Sequence, residues 1–111
     1  MLVKDAVEKF GFKLLAGNKS LNKEISGLYY CDLLSWVMSH AKEGNAWITV
    51  QTHLNIVAVA SLIDLACIII PEAIEVDEET LKKADEVGIP ILSTELDSFN
   101  IFSKFYEAGM R

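Results

Sequence analysis

Residues 66–70 read Ala-Cys-Ile-Ile-Ile and stop at Pro71. A strand with no polar position has no side to offer to water, and such strands belong to parallel sheets whose two faces are covered by helices. Ala46 to Val50 forms a second compact strand, with Thr49 its one polar residue, and both read as fully buried. Between them, Asn55 to Ile63 is a nearly all-apolar segment of helical length. The whole run from Leu54 to Ile70 covers 17 positions, is interrupted by Asp64, and is short for a membrane span. A buried helix followed by a buried strand accounts for it.

The rest of the chain supplies more of the same alternation. Leu2, Val3, Ala6, Val7 and Phe10 recur at helical spacing, and Gly11 permits a left-handed stop. Phe12, Leu14 and Leu15 suggest a short strand, followed by a polar loop from Ala16 to Lys23. Glu24 to Tyr30 reads as a strand leading into a helix with Leu33, Leu34, Val37, Met38 and Ala41 on its apolar face, ended by Gly44. Asp77 can cap a helix through Leu81, Ala84 and Val87, which Gly88 closes before a strand at Ile89–Leu92. Thr94 and Asp97 resemble a capping box for a last helix of Phe99, Phe102 and Tyr106, stopped by Gly109. Strands joined by three-turn helices must be parallel, because only a crossover can return the chain to the same end of the sheet. The expected fold is α/β, a mostly parallel sheet with crossover helices on both faces, in one domain over residues 1–111 with no repeat or linker.

Charge and chemistry then exclude several functions. With 10 Lys and Arg against 16 Asp and Glu, the net charge is -6, which repels phosphate backbones and argues against nucleic acid as a partner. The first ten residues carry Lys4, Asp5, Glu8 and Lys9, unlike a secretory signal, so a cytoplasmic location and no membrane partner are expected. Cys31 and Cys67 sit among apolar residues and read as reduced structural thiols. No phosphate loop, dinucleotide glycine fingerprint or nucleophile elbow is present, so no catalytic residue and no cofactor is expected. His40 and His53 lack metal-ligand spacing, and the acidic run Glu72, Glu75, Asp77, Glu78, Glu79 lacks the alternation and central glycine of a calcium loop. His40, near a helix C-terminus, is expected to meet the helix dipole.

Ligands of open parallel sheets sit beyond the carboxyl ends of the strands, where loops meet helix N-termini. The loops there contribute Gln51, Thr52, His53 and Asn55, then Pro71 and Glu72, then Ser93 and Thr94 as candidate ligand-binding residues. For Thr52, Ser93 and Thr94, helix capping is the competing explanation, with His53 and Asn55 simply facing water. Tyr29, Tyr30 and Trp36 are candidates for an aromatic contact surface, against the alternative of core packing.

The segment from Trp47 to Thr94, ending in Gly-Ile-Pro-Ile-Leu-Ser-Thr, resembles the DRTGG domain family, and the similarity extends over nearly the whole chain. In that family a strand leads to Asp-Arg and a helix, a second strand leads to Thr-Gly-Gly, and a Gly-Ile-Pro strand ends in Ser-Thr. Here Thr52-His53 take the Asp-Arg position and Pro71-Glu72-Ala73 the Thr-Gly-Gly position. A cation is thereby exchanged for a histidine, and a flexible glycine pair for a stiffer acidic turn. The family is similar to the N-terminal domain of HPr kinase/phosphorylase, which lacks the kinase phosphate loop, and occurs as a regulatory insert in phosphotransacetylases and beside CBS domains in pyrophosphatases.

The resemblance implies a non-catalytic regulatory or accessory domain that self-associates, as a homodimer, and contacts a partner protein or enzyme. The alternative is a sensor of an adenine nucleotide or other small anionic metabolite, using the 51–55 and 93–95 loops. A small enzyme with His53 as general base is a third reading, resting on the ordinary pKa of histidine.

Overall fold

The computed structural model describes residues 1–110 and contains one five-stranded sheet in the order β1-β5-β4-β3-β2. The strands are β1 (Lys13–Ala16), β2 (Gly27–Tyr30), β3 (Asn45–Ile48), β4 (Cys67–Ile70) and β5 (Ile91–Ser93). Five α-helices accompany them: α1 (Val3–Phe10), α2 (Leu34–His40), α3 (Asn55–Leu62), α4 (Glu78–Val87) and α5 (Ser98–Glu107). β2, β3, β4 and β5 are parallel, while β1 runs antiparallel on the outer side of β5.

Helices cover both faces, in an unequal division. Val37 of α2, Ile56 and Ala60 of α3, and Ala84 of α4 pack with Trp47, Ile68, Ile70 and Ile91 on one face. Val3 and Ala6 of α1, with Ile101 and Phe105 of α5, pack with Ala46, Ile48, Ile69 and Leu92 on the other. All three crossovers therefore share a face, which follows from right-handed connections stepping in one direction from β2 to β5. The terminal helices close the opposite face. Every residue of β3 and β4 is buried, Asn45 at the start of β3 being the one polar residue among them, as central strands covered on both faces require.

Two capping expectations are corrected. Thr94 does not open the last helix: Asp97 occupies that position and its Oδ1 accepts the Asn100 amide at 2.9 Å. Thr94 instead belongs to the β5–α5 loop, where its Oγ1 accepts the Leu96 amide at 3.2 Å. The loop is held there because the Ala73 and Glu72 amides donate to the carbonyls of Thr94 and Leu96, at 2.8 and 2.9 Å. Asp77 does precede α4, yet its side chain caps nothing and turns to His53 Nδ1, 3.3 Å away.

Candidate functional site

At the carboxyl ends of β2 and β3, one carboxylate organises the chain. Asp32 Oδ1 accepts from Thr49 Oγ1 at 2.8 Å and from the Val50 amide at 2.9 Å, and its Oδ2 accepts from the Tyr30 hydroxyl at 2.9 Å. Its carbonyl accepts from Gln51 Nε2 at 3.0 Å. Gln51 is therefore a clamp between two strand ends. The hydrogen bond to Asp32 raises the Tyr30 pKa above 10.0, with smaller contributions from burial and from the negative charges of Asp32, Glu72 and Cys31. Trp47 Nε1 donates to the Cys31 carbonyl at 2.9 Å, so the polar groups at this end are turned on one another.

Thr52, His53 and Asn55 have separate surroundings. The Thr52 carbonyl accepts from the buried Thr80 hydroxyl at 2.7 Å, which docks the loop on α4, and the Thr52 side chain does not cap α3. His53 is 76% exposed beside Asp77, and Asn55 is exposed on the first turn of α3. The 51–55 and 93–95 loops follow β3 and β5, with β4 between them, so they stand roughly 10 Å apart at the usual strand spacing.

Pro71 is buried, and Glu72 and Ala73 after it both adopt left-handed backbone, at φ 57° and 54°. Ser93 and Thr94 line a cavity of about 640 Å³ with Ala73, Glu95, Leu96, Phe10, Gly11, Lys13 and Lys104. The two loops after β4 and β5 are thus brought together, and two lysines join them that the sequence pattern did not single out. Lys13 arrives because it pairs with Ser93 in the antiparallel ladder, and Lys104 because α5, entered from the β5 loop, packs against Leu92 at the end of β5.

A second cavity, of about 630 Å³, runs along the open edge of β2 toward the N-terminal ends of β2 and β3. Gly27, Leu28 and Tyr29 supply its floor, His40 and Lys42 one wall, and Phe102, Tyr106 and Met110 the other. Trp36 is 50% exposed and stacks on His40 with ring centroids 3.8 Å apart, and His40 Nδ1 lies 3.0 Å from the Trp36 carbonyl near the end of α2. Tyr106 at 61% and Phe99 at 75% exposure continue the belt along α5. Of the sequence candidates, Tyr29 is half-buried against the core while Tyr30 and Trp36 are exposed. Phe99, Phe102 and Tyr106 share this surface because they recur at helical spacing, a signal that equally describes a core face.

No metal-holding group of three or more His, Cys, Asp or Glu occurs among the described residues. Cys31 and Cys67 are both free thiols, and complete burial pushes the Cys67 pKa from 9.0 up to about 12. No helix among the described residues is long and apolar enough to cross a membrane.

Fold and site together define a small α/β domain, four parallel strands with an antiparallel fifth, whose strand ends are largely closed by internal hydrogen bonds. The model of the DRTGG domain matches residues 5–108, and the chain belongs to that family. A comparison with curated proteins gives no significant match. Among solved structures, the CBS and DRTGG domains of the regulatory region of Clostridium perfringens pyrophosphatase, complexed with the activator diadenosine tetraphosphate, superpose with a TM-score of 0.69. Sequence identity is 13%, and the match covers 92% of this chain and 44% of that one. The likeness is one of fold, and the chain spans less than half of that relative's length.

Proposed function

We propose that the chain is a non-catalytic regulatory module that self-associates and contacts a partner protein or enzyme. The observation that carries this reading is the aromatic belt beside an unpaired strand edge. Strand edges invite pairing with another chain and are commonly shielded by charge or proline. Besides Lys42, the surface around the β2 edge carries Trp36, Tyr106 and Phe99, whose exposed parts amount to on the order of 400 Å² at ordinary ring sizes. That is about half of what one side of a stable complex buries, before backbone and neighbouring aliphatic groups are added.

Sedimentation equilibrium at rising protein concentration tests the self-association. The native chain is expected to form dimers, and a Trp36→Ser, Phe99→Ser double variant to remain monomeric and cooperatively folded, since neither side chain belongs to the buried core. A native chain that stays monomeric at millimolar concentration would sink the proposal.

The second reading is a sensor of a small anionic metabolite. It is favoured by the lysine-bearing cavity at Ser93 and Thr94, and finds a parallel in the pyrophosphatase regulatory region complexed with a nucleotide activator. An enzyme built on His53 has less support: Asp77 is beside it, but His53 is 76% exposed and lines none of the cavities described above.

A further inference from the structure

We propose that the crevice at the carboxyl end of β5, between the β5–α5 loop and the start of β1, binds a small phosphate-bearing metabolite, held by Lys13 and Lys104 with the hydroxyls of Ser93 and Thr94. The inference rests on the sensor reading and gives it a place and a ligand class.

Topology creates the crevice. The loop after β4 leads to α4 on one face, whereas the loop after β5 leads to α5 on the other. Adjacent parallel strands whose following helices depart to opposite faces leave a gap between their loops, the place where open α/β sheets take ligands. The cavity of about 640 Å³ opens beside it, on the β1 side of β5, where Phe10, Gly11 and Lys13 face residues 93–96 and only Ala73 comes from the β4 loop; it is within the size range of metabolite pockets.

Charge selects the ligand. In a chain of net charge -6, Lys13 and Lys104 line one cavity, and their side chains carry no salt bridge or hydrogen bond among the described residues. Lysine is a point-charge phosphate binder, and two of them suit a dianion. Glu95 also lines the cavity, so its carboxylate opposes the ligand and the charged side chains there sum to one positive charge. The Ser93 hydroxyl has no partner among the described residues, and the Thr94 hydroxyl, which accepts from the Leu96 amide, keeps its hydrogen to donate. A bare phosphate is far smaller than the cavity, and Phe10 and Leu96 offer apolar wall to an organic body.

The rim is already set. The left-handed backbone of Glu72 and Ala73 directs both amides to the carbonyls of Leu96 and Thr94, tying the two loops together beside the gap. Strained backbone of this kind gathers at ligand clamps, and a preset rim lowers the ordering cost of binding.

Amide chemical-shift titration of the full chain tests the site, with inorganic phosphate, AMP, ATP and a sugar phosphate as probes and sodium chloride at matched ionic strength as control. Saturable shifts at Lys13 and residues 93–95 are expected with at least one organic phosphate, and weaker shifts at the same amides with phosphate alone. A Lys13→Gln, Lys104→Gln double variant should weaken binding tenfold or more, the scale of lost charge-assisted hydrogen bonds, and Glu95→Gln should tighten it. Unchanged affinity in the double variant overturns the site, as do equal shifts with sodium chloride. Shifts at residues 51–53 with none at 93–95 overturn this site while leaving the sensor reading intact. No shift with any probe overturns both.

Discussion

Ala73 and its neighbour Glu72 are two consecutive non-glycine residues at positive φ. Left-handed backbone costs a residue with a Cβ roughly 1–2 kcal/mol. Glycine removes that cost and restores roughly 0.5–1 kcal/mol of unfolded-state entropy. Ala73→Gly is therefore expected to be neutral or to stabilise by up to about 1 kcal/mol, whereas Ala73→Val, branched at Cβ, should lower stability measured by urea titration. A loss on Ala73→Gly comparable to that of the valine variant would show that no strain resides there. The sequence made this position visible only through the family resemblance, which set Pro71-Glu72-Ala73 where Thr-Gly-Gly is expected: the residues changed and the glycine-like turn remained. Asp32 was invisible for the opposite reason. A single carboxylate after a strand has no local pattern, and its importance comes from Thr49, Val50 and Gln51, 17 to 19 positions away.

At the scale of elements, the alternation from Asp32 onward was legible because β3, β4 and the helices between them bury periodic apolar residues, and periodicity is local information. The place of β1 was not. Lys13–Ala16 has no alternation to assign a partner, and only the folded chain inserts it antiparallel beside β5, the step that brings Lys13 to Ser93. What fixes the following turn is contact: the Gly17 amide donates to Asp85 Oδ1 at 2.7 Å, and a Cβ at Gly17 would lie 2.3 Å from the Ile89 carbonyl oxygen. Gly17 also has φ 78°, so Gly17→Ala combines left-handed strain with a clash against backbone that cannot rotate away. The expected loss is about 3 kcal/mol or more, within the range of strain and overpacking together. Gly11→Ala is the control: its φ of 71° is similar, but nothing lies within 4 Å of the added Cβ, so it should cost about 1–2 kcal/mol. Equal losses for the two would mean that the close approach of β1 and the α4–β5 turn contributes nothing.

For the molecule as a whole, the groups with raised pKa fix the direction of its alkaline response. Cys67 is completely buried and its thiol is pushed from 9.0 up to about 12 by loss of hydration. A raised folded-state pKa contributes stability that is fully present below the unfolded value and is lost as pH rises through the folded one. Between pH 9 and about 12 the unfolded chain releases this proton and the folded chain does not. Unfolding free energy should then fall by up to about 1.4 kcal/mol per pH unit from this group alone. Tyr30, raised above 10.0 chiefly by its bond to Asp32, acts in the same direction at higher pH, weakened by its exposure to solvent. Small domains have only about 5–15 kcal/mol to lose, so the effect is large on that scale. Urea titrations from pH 7 to 11 on the native chain and on Cys67→Ala isolate it, because every other titrating group is common to both. The variant should be less stable at pH 7 and should lose less as pH rises, with the two curves converging above pH 9. Parallel curves would mean that the Cys67 thiol titrates alike in the folded and unfolded chain, and that the second core between α1, α5 and the sheet admits water.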